Sequence, residues 1–274
     1  MNYRHAYHAG NFADVTKHLA LTAVLLHLRK KEAAFAVIDT HAGRGEYDLS
    51  GDEAKRTGEA ANGIGRLADA PGGTPALAEY FDLVRGKTTY SGSPVIAAKL
   101  LRPQDRLVAI EKHSEDGAAL TIALRPFAKA RAEVADGYAR LAGLLPPPER
   151  RGVVLIDPPY EAEDEFERAA DTFADAYRRF ATGIYLVWFP IKSKAQADGF
   201  CGEVLAAGVT KALRLDIALG GPREDRLTAA GLLIVNPPFG FAGEMKSALA
   251  LVSPHLGSED APAVARIDWL IGSE

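Results

Sequence analysis

The chain has 274 residues, 47% hydrophobic and 25% charged, with a net charge of −4; this is ordinary globular composition and excludes a strongly basic, histone-like nucleic-acid binder. The length fits two domains or one α/β domain with an insertion, and no metal or disulfide staple is needed. The single cysteine, Cys201, suits a reducing compartment as a small buried side chain. The first residues, MNYRHAYHAG, lack the apolar core of a secretory leader, and no run of about 18 apolar residues occurs, so a soluble cytoplasmic protein is expected. Mild acidity still permits nucleic acid as a substrate through local phosphate contacts. Residues 29–31 (RKK), Arg150 with Arg151, Arg178 with Arg179, and Lys192 with Lys194 are available for that, although each cluster alone also reads as solvated surface.

The N-terminal segment crowds Tyr3, Arg4, His5, His8, Asn11, Lys17 and His18 ahead of any strand, a composition suited to a flexible basic lid or a base-contacting tail. No acidic or cysteine companions stand at ligand spacing, so zinc is not expected. A helix is predicted over 13–30 and a strand over 34–39. Residues 46–93 are polar, rich in Gly, Thr and Pro, with helical patches such as 76–84 and no strand signal; they read as a helical insertion. Strand-length apolar runs then alternate with helix-period segments. Strands are predicted at 106–111, 131–136, 152–157, 183–189, 212–218 and 229–235, and helices at 94–102, 114–127, 138–145, 163–181, 193–207 and 242–253. The seven strands form a doubly wound, mostly parallel sheet buried on both faces. Only GGPRED (220–225) separates the last two strands, which predicts an antiparallel hairpin at one edge.

The chemistry sits at strand ends. The first strand runs into Asp39-Thr-His-Ala-Gly43-Arg-Gly45, where glycines let a ligand approach the backbone, as in folds that receive adenosine-containing cofactors. The third glycine of the dinucleotide fingerprint is missing, and an acid, then three residues, then Gly-x-Gly is instead the pattern used for S-adenosylmethionine. His41 stands inside this turn. Glu111 ends the second strand, where a carboxylate accepts ribose hydroxyls, and Asp136-Gly137 follows the third, placed for an adenine amino group. An acid there is also an ordinary helix cap.

The fourth strand ends in Asp157-Pro158-Pro159-Tyr160. The prolines fix φ and hold the preceding residue extended, so a carboxylate, a carbonyl and an aromatic ring project rigidly from the sheet. Those groups hold an exocyclic amine: Asp157 and the Pro158 carbonyl accept its two N–H groups, orient the lone pair and stabilise the charge that develops on attack, while Tyr160 stacks on the base. A second match, Asn236-Pro237-Pro238-Phe239, ends the seventh strand, away from the crevice where strand order reverses; it reads as a rigid strand exit. No G-x-S-x-G elbow suggests a hydrolase.

Together YRHAYHAGNFADVTKH, DTHAGRGEY, YSGSP (90–94), VADGY and RRGVVLIDPPYE resemble the RlmJ-type 23S ribosomal RNA adenine-N6 methyltransferases over nearly the whole chain. The resemblance implies a class I, AdoMet-dependent (Rossmann-like) fold, with a methyltransferase domain of residues 1–45 and 94–274 and an inserted helical subdomain of residues 46–93. It implies S-adenosyl-L-methionine held among His18, His41, Ser93, Glu111, Asp136, Gly137 and Asp157, with Asp157 also the acid nearest the target amine. Tyr3, His5 and Lys17 belong, on the same basis, to an N-terminal element that closes over the site. The expected partner is 23S ribosomal RNA, with no metal, no membrane and a monomeric enzyme. DNA adenine or a glutamine amide poses the same lone-pair problem, and a non-catalytic RNA-binding assembly protein is the reading from a different class.

Overall fold

The structure, a computed structural model, describes residues 5–220, 227–258 and 261–274. A short 3-10 turn at His5–Tyr7 leads into α1 (Phe12–Arg29), β1 (Ala36–Asp39), β2 (Glu46–Asp48), α2 (Asp52–Thr57), α3 (Glu59–Asn62), α4 (Pro75–Val84) and β3 (Thr89–Ser91). The alternating part follows as α5 (Ser93–Leu100), β4 (Arg106–Glu111), α6 (Ser114–Leu124), β5 (Ala130–Val134), α7 (Gly137–Leu141), β6 (Gly152–Ile156), α8 (Glu165–Arg179), β7 (Ile184–Pro190) and α9 (Lys194–Leu205). The chain ends with β8 (Ala212–Ala218), β9 (Ala229–Val235), α10 (Phe241–Val252), β10 (Gly257–Ser258), β11 (Ala261–Pro262) and β12 (Val264–Ile271).

The main sheet has the order β12-β8-β9-β7-β6-β1-β4-β5. Strands β7, β6, β1, β4 and β5 run parallel, and the order reverses between β1 and β6, the position at which open α/β sheets open a crevice beyond their carboxyl ends. Alternate residues feed two cores. Val37, Val153, Leu155 and Leu186 face α1, α4, α5 and α10, while Ile38, Val154, Ile156 and Val187 face the side of α8 and α9. Helix α1 is buried around most of its circumference, Asp14, Lys17 and His18 included. A helix this enclosed has no solvent face for its polar groups, which must pair with one another.

Three expectations are corrected. The sheet has eight strands among the described residues, not seven, because β12 adds to β8. Its apolar residues on the core side are only Ala265, Ile267 and Trp269, alternating with Val264, Arg266 and Asp268, so its signal is that of a half-wet edge. The antiparallel hairpin forms but lies one strand in from the edge, because β12 flanks β8, while β9 sits between β7 and β8, antiparallel to both. Strand β9 is nearly all buried, which suits a strand with neighbours on both sides. Gly231 makes room there, since a Cβ on it would lie 2.2 Å from the Phe189 ring across the β7–β9 pair. The turn at 221–226 lies outside the described residues. Finally, residues 46–93 contain, besides helices, the short antiparallel pair β2–β3, in which Tyr47 faces Tyr90. Three-residue strands are too short to show a period.

Antiparallel β9 also settles the two tetrapeptides. Asn236 leaves the sheet at the end where β7 begins, its Nδ2 donating to Ala181 O at 2.8 Å and Gly183 O at 2.7 Å. Strand direction, not edge position, removes it from the crevice.

Candidate active site

A cavity of about 630 Å³ opens at the carboxyl ends of the parallel strands. It is lined by every candidate site residue within the described part: His5, Lys17, His18, His41, Ser93, Glu111, Asp136, Gly137, Asp157, Pro158 and Tyr160. Tyr3 lies outside the described residues.

One wall is the glycine turn and its acids. Glu111 accepts one backbone N–H on each oxygen, Gly43 N at 2.9 Å and His113 N at 2.8 Å, which fixes the carboxylate and leaves lone pairs on both oxygens. Gly43 has φ +61°, a conformation few side chains tolerate. Asp136 caps α7, accepting from Tyr138 N at 3.0 Å, and its other oxygen takes Lys112 Nζ at 2.8 Å; it is a helix cap and a cavity acid at once. Gly137 presses on β1, since a Cβ there would lie 1.9 Å from the Thr40 carbonyl oxygen. Burial pushes His41 down to about 4. Thr40 Oγ1 gives its proton to Leu155 O at 2.9 Å, so the 2.8 Å contact to His41 Nδ1 requires the imidazole to donate.

Behind the cavity wall, burial pushes Asp39 up to about 7, against the 2.7 Å hydrogen bond from Ser93 Oγ. His18 Nδ1 meets Tyr90 Oη at 2.7 Å, and Tyr90 meets Tyr80 at 3.0 Å. Burial depresses His18 to about 3, so it is neutral at pH 7. Beside it, Lys17 Nζ lies 2.8 Å from Asp14 Oδ1 and 2.5 Å from Asp157 Oδ2. Burial opposes a charged lysine, but the two carboxylates outweigh it and hold Lys17 above its ordinary value. Burial likewise opposes ionised Asp14, and His5 and Lys17 overcome it. Asp14 Oδ2 also takes His5 Nε2 and Gly10 N, each at 2.9 Å.

The Asp157 corner ends in Tyr160 at φ +51°, a strained conformation for a residue with a side chain. It is held by the Tyr160 hydroxyl donating to Trp188 O at 2.7 Å and by ring contacts with Phe166 at 4.5 Å and Trp188 at 5.7 Å. The ring expected to stack on a base is therefore enclosed on the protein side and only 7% exposed.

Most of the basic clusters lie elsewhere. Arg151 donates to Leu28 O and Ala33 O, Arg178 pairs with Asp175, and Lys194 pairs with Asp198; of these residues, Lys192 alone lines the cavity. Among the described residues no His, Cys, Asp and Glu cluster has the arrangement of a metal site, and no helix is long and apolar enough to cross a membrane. Sequence reasoning missed Asp14 and Glu59. Asp14 is legible as the residue three and four positions before Lys17 and His18 on one helix. Glu59 carries no local signal, because its partners His8 and Asn11 lie 51 and 48 residues away.

The family model described as ribosomal RNA large subunit methyltransferase D, RlmJ, matches residues 32–271. The chain is 38% identical to ribosomal RNA large subunit methyltransferase J of Escherichia coli (strain K12), covering 99% of both chains, and 36% identical to the protein of that name from Haemophilus influenzae, covering 98% of this chain and 99% of the other. A crystal structure of a Legionella pneumophila protein of family DUF519 superposes with a TM-score of 0.84 at 33% identity, covering 95% of this chain and 98% of that one. With the cavity, the Asp157 corner and this likeness over the full length, the chain belongs to the ribosomal RNA large subunit methyltransferase J family.

Proposed function

We propose that this chain transfers a methyl group from S-adenosylmethionine to the exocyclic N6 amine of an adenine in 23S ribosomal RNA. The observation that carries the reading is Asp157: it ends the strand next to the order reversal, inside the cavity, with one oxygen on Lys17. The residues on the β1, β4 and β5 side fit the donor. Glu111 offers lone pairs for hydroxyls, Asp136 stands for the adenine amine, and Gly137 keeps the backbone close and bare. His18, His41 and Ser93 complete that side. Bound there, S-adenosylmethionine supplies an electrophilic methyl group.

The acceptor amine is planar, with its lone pair spread into the ring. Asp157 Oδ1 and the Pro158 carbonyl accept its two N–H groups, turn the lone pair toward the donor and stabilise the positive charge that grows on nitrogen. The ion pair with Lys17 fixes the Asp157 carboxylate in one rotamer; the amine proton passes to Asp157 as the N–C bond forms and the methyl leaves the sulfonium. Tyr160 serves as a braced wall. His5, held by Asp14, lines the cavity. The target base must leave its stack to enter.

The same reading makes residues 1–45 and 94–274 the methyltransferase domain and 46–93 an inserted, mainly helical subdomain. It describes a cytoplasmic monomer that works without metal. The test is mass-spectrometric mapping of N6-methyladenosine in 23S RNA from a deletion strain and its complemented counterpart. One adenine methylated only in the complemented strain is expected. Label from radioactive S-adenosylmethionine appearing only in DNA or protein fractions overturns the proposal.

A further inference from the structure

The N-terminal element reaches the cavity while gripped by the segment from Thr57 to Ile64. Thr57 Oγ1 donates to Tyr7 O, and Ile64 N donates to Gly10 O at 2.8 Å. Gly63 lies so close that a Cβ on it would be 2.1 Å from the Gly10 carbonyl oxygen. Between these, Glu59 uses both carboxylate oxygens, Oε1 with His8 Nδ1 and Oε2 accepting from Asn11 Nδ2, each at 3.0 Å. Its side chain is 19% exposed, so water screens these bonds little. Asn11 in turn caps α1, its Oδ1 accepting from Ala13 N and Asp14 N at 2.9 Å. Asp14 then holds His5 and Lys17, and Lys17 reaches Asp157. Each link is a hydrogen bond or an ion pair, and the chain runs from the insertion to the acid at the end of β6.

We propose that Glu59 is a positioning residue for methyl transfer: from the inserted segment it fixes the register of residues 5–14, so that Asp14 holds His5 at the cavity wall and Lys17 against Asp157. The inference rests on the proposed function and gives the insertion a role in catalysis besides any contact with RNA. A purely structural Glu59 differs in its consequence. It lowers stability when removed but leaves turnover by the folded protein unchanged, because nothing in the cavity depends on where the N-terminal element rests.

The test uses the full chain with Glu59→Ala, Glu59→Gln and, as a control on an exposed acid of the same segment, Asp69→Ala. Methyl transfer from tritiated S-adenosylmethionine to 23S RNA from a deletion strain is followed beside donor binding by calorimetry and amide hydrogen exchange. For Glu59→Ala, kcat falls about tenfold, the effect of losing one such charged hydrogen bond, and exchange in residues 5–14 rises by about the same factor. Exchange in β6 and the affinity for the donor stay within about twofold. Glu59→Gln keeps an acceptor for Asn11 and recovers most of the activity, and Asp69→Ala matches wild type. Wild-type kcat in Glu59→Ala, or a loss of kcat without faster exchange in 5–14, overturns the inference. Should wild type fail to methylate RNA, the proposed function falls, while the exchange data still decide whether Glu59 fixes the element.

Discussion

Replacing Asp157 by Asn keeps the shape of the corner and removes one acceptor. In the native protein Asp157 Oδ2 is committed to Lys17 Nζ at 2.5 Å, which leaves Oδ1 for the target amine. Both partners are donors. An asparagine has a single acceptor oxygen, so it satisfies the lysine or the amine but not both, and its amide N–H2 opposes the other. Losing an acceptor aimed at charge that develops in the transition state costs about 3–4 kcal/mol, or roughly 10²–10³ in turnover. Weakening the charged bond to Lys17, whose partner Asp157 is only 14% exposed, destabilises the fold by about 1–3 kcal/mol. Single-turnover methyl transfer, donor calorimetry and urea unfolding measure the three terms separately. Expected are a turnover loss of that order, donor affinity within about threefold, and a modestly lower urea midpoint. Near-normal turnover refutes the acceptor role. A loss of donor affinity as large as the loss of turnover refutes it too, since Asp157 would then serve the donor alone.

Lys17→Met removes the cation shared by Asp14 and Asp157 and leaves buried like charges; a stability loss of about 3–5 kcal/mol at pH 7 is expected by urea unfolding, smaller at pH 5 where a carboxylate can be protonated. His18 is depressed from 6.5 to about 3 in the folded protein, so below pH 6.5 only the unfolded chain takes up its proton, and stability falls with pH over that window. Between pH 7.5 and 5 this removes about 2 kcal/mol, and His18→Gln should show a pH-dependence shallower by about that amount in denaturant melts. Gly137→Ala places a Cβ 1.9 Å from the Thr40 carbonyl oxygen and must shift β1 or α7. It should lower stability by about 1–3 kcal/mol in thermal melts and weaken donor binding in calorimetry. A variant with unchanged donor affinity would separate Gly137 from the cofactor site.

The amino-acid sequence by itself determined the elements and the chemistry at their ends. Strands β8 and β9 fall at the residues that their apolar runs mark, and α1 falls within one residue of its predicted span. Asp39, Glu111, Asp136 and Asp157 were legible because each follows an apolar run and precedes a turn, a pattern contained in about ten consecutive residues. Tertiary structure decided whatever depends on neighbours distant along the chain. That Lys17 meets Asp157, 140 residues later, follows from α1 packing across the sheet beside the end of β6. That β9 enters between β7 and β8 follows from its two buried faces and from Gly231 admitting Phe189; either edge placement is compatible with the same apolar run. The bracing of Tyr160 by Phe166 and Trp188, and the grip of Glu59 on the N-terminal element, are likewise invisible to periodicity. Backbone preference and side-chain alternation act over a few residues, whereas the pairing of buried polar groups is set by which surfaces the crossover helices bring together.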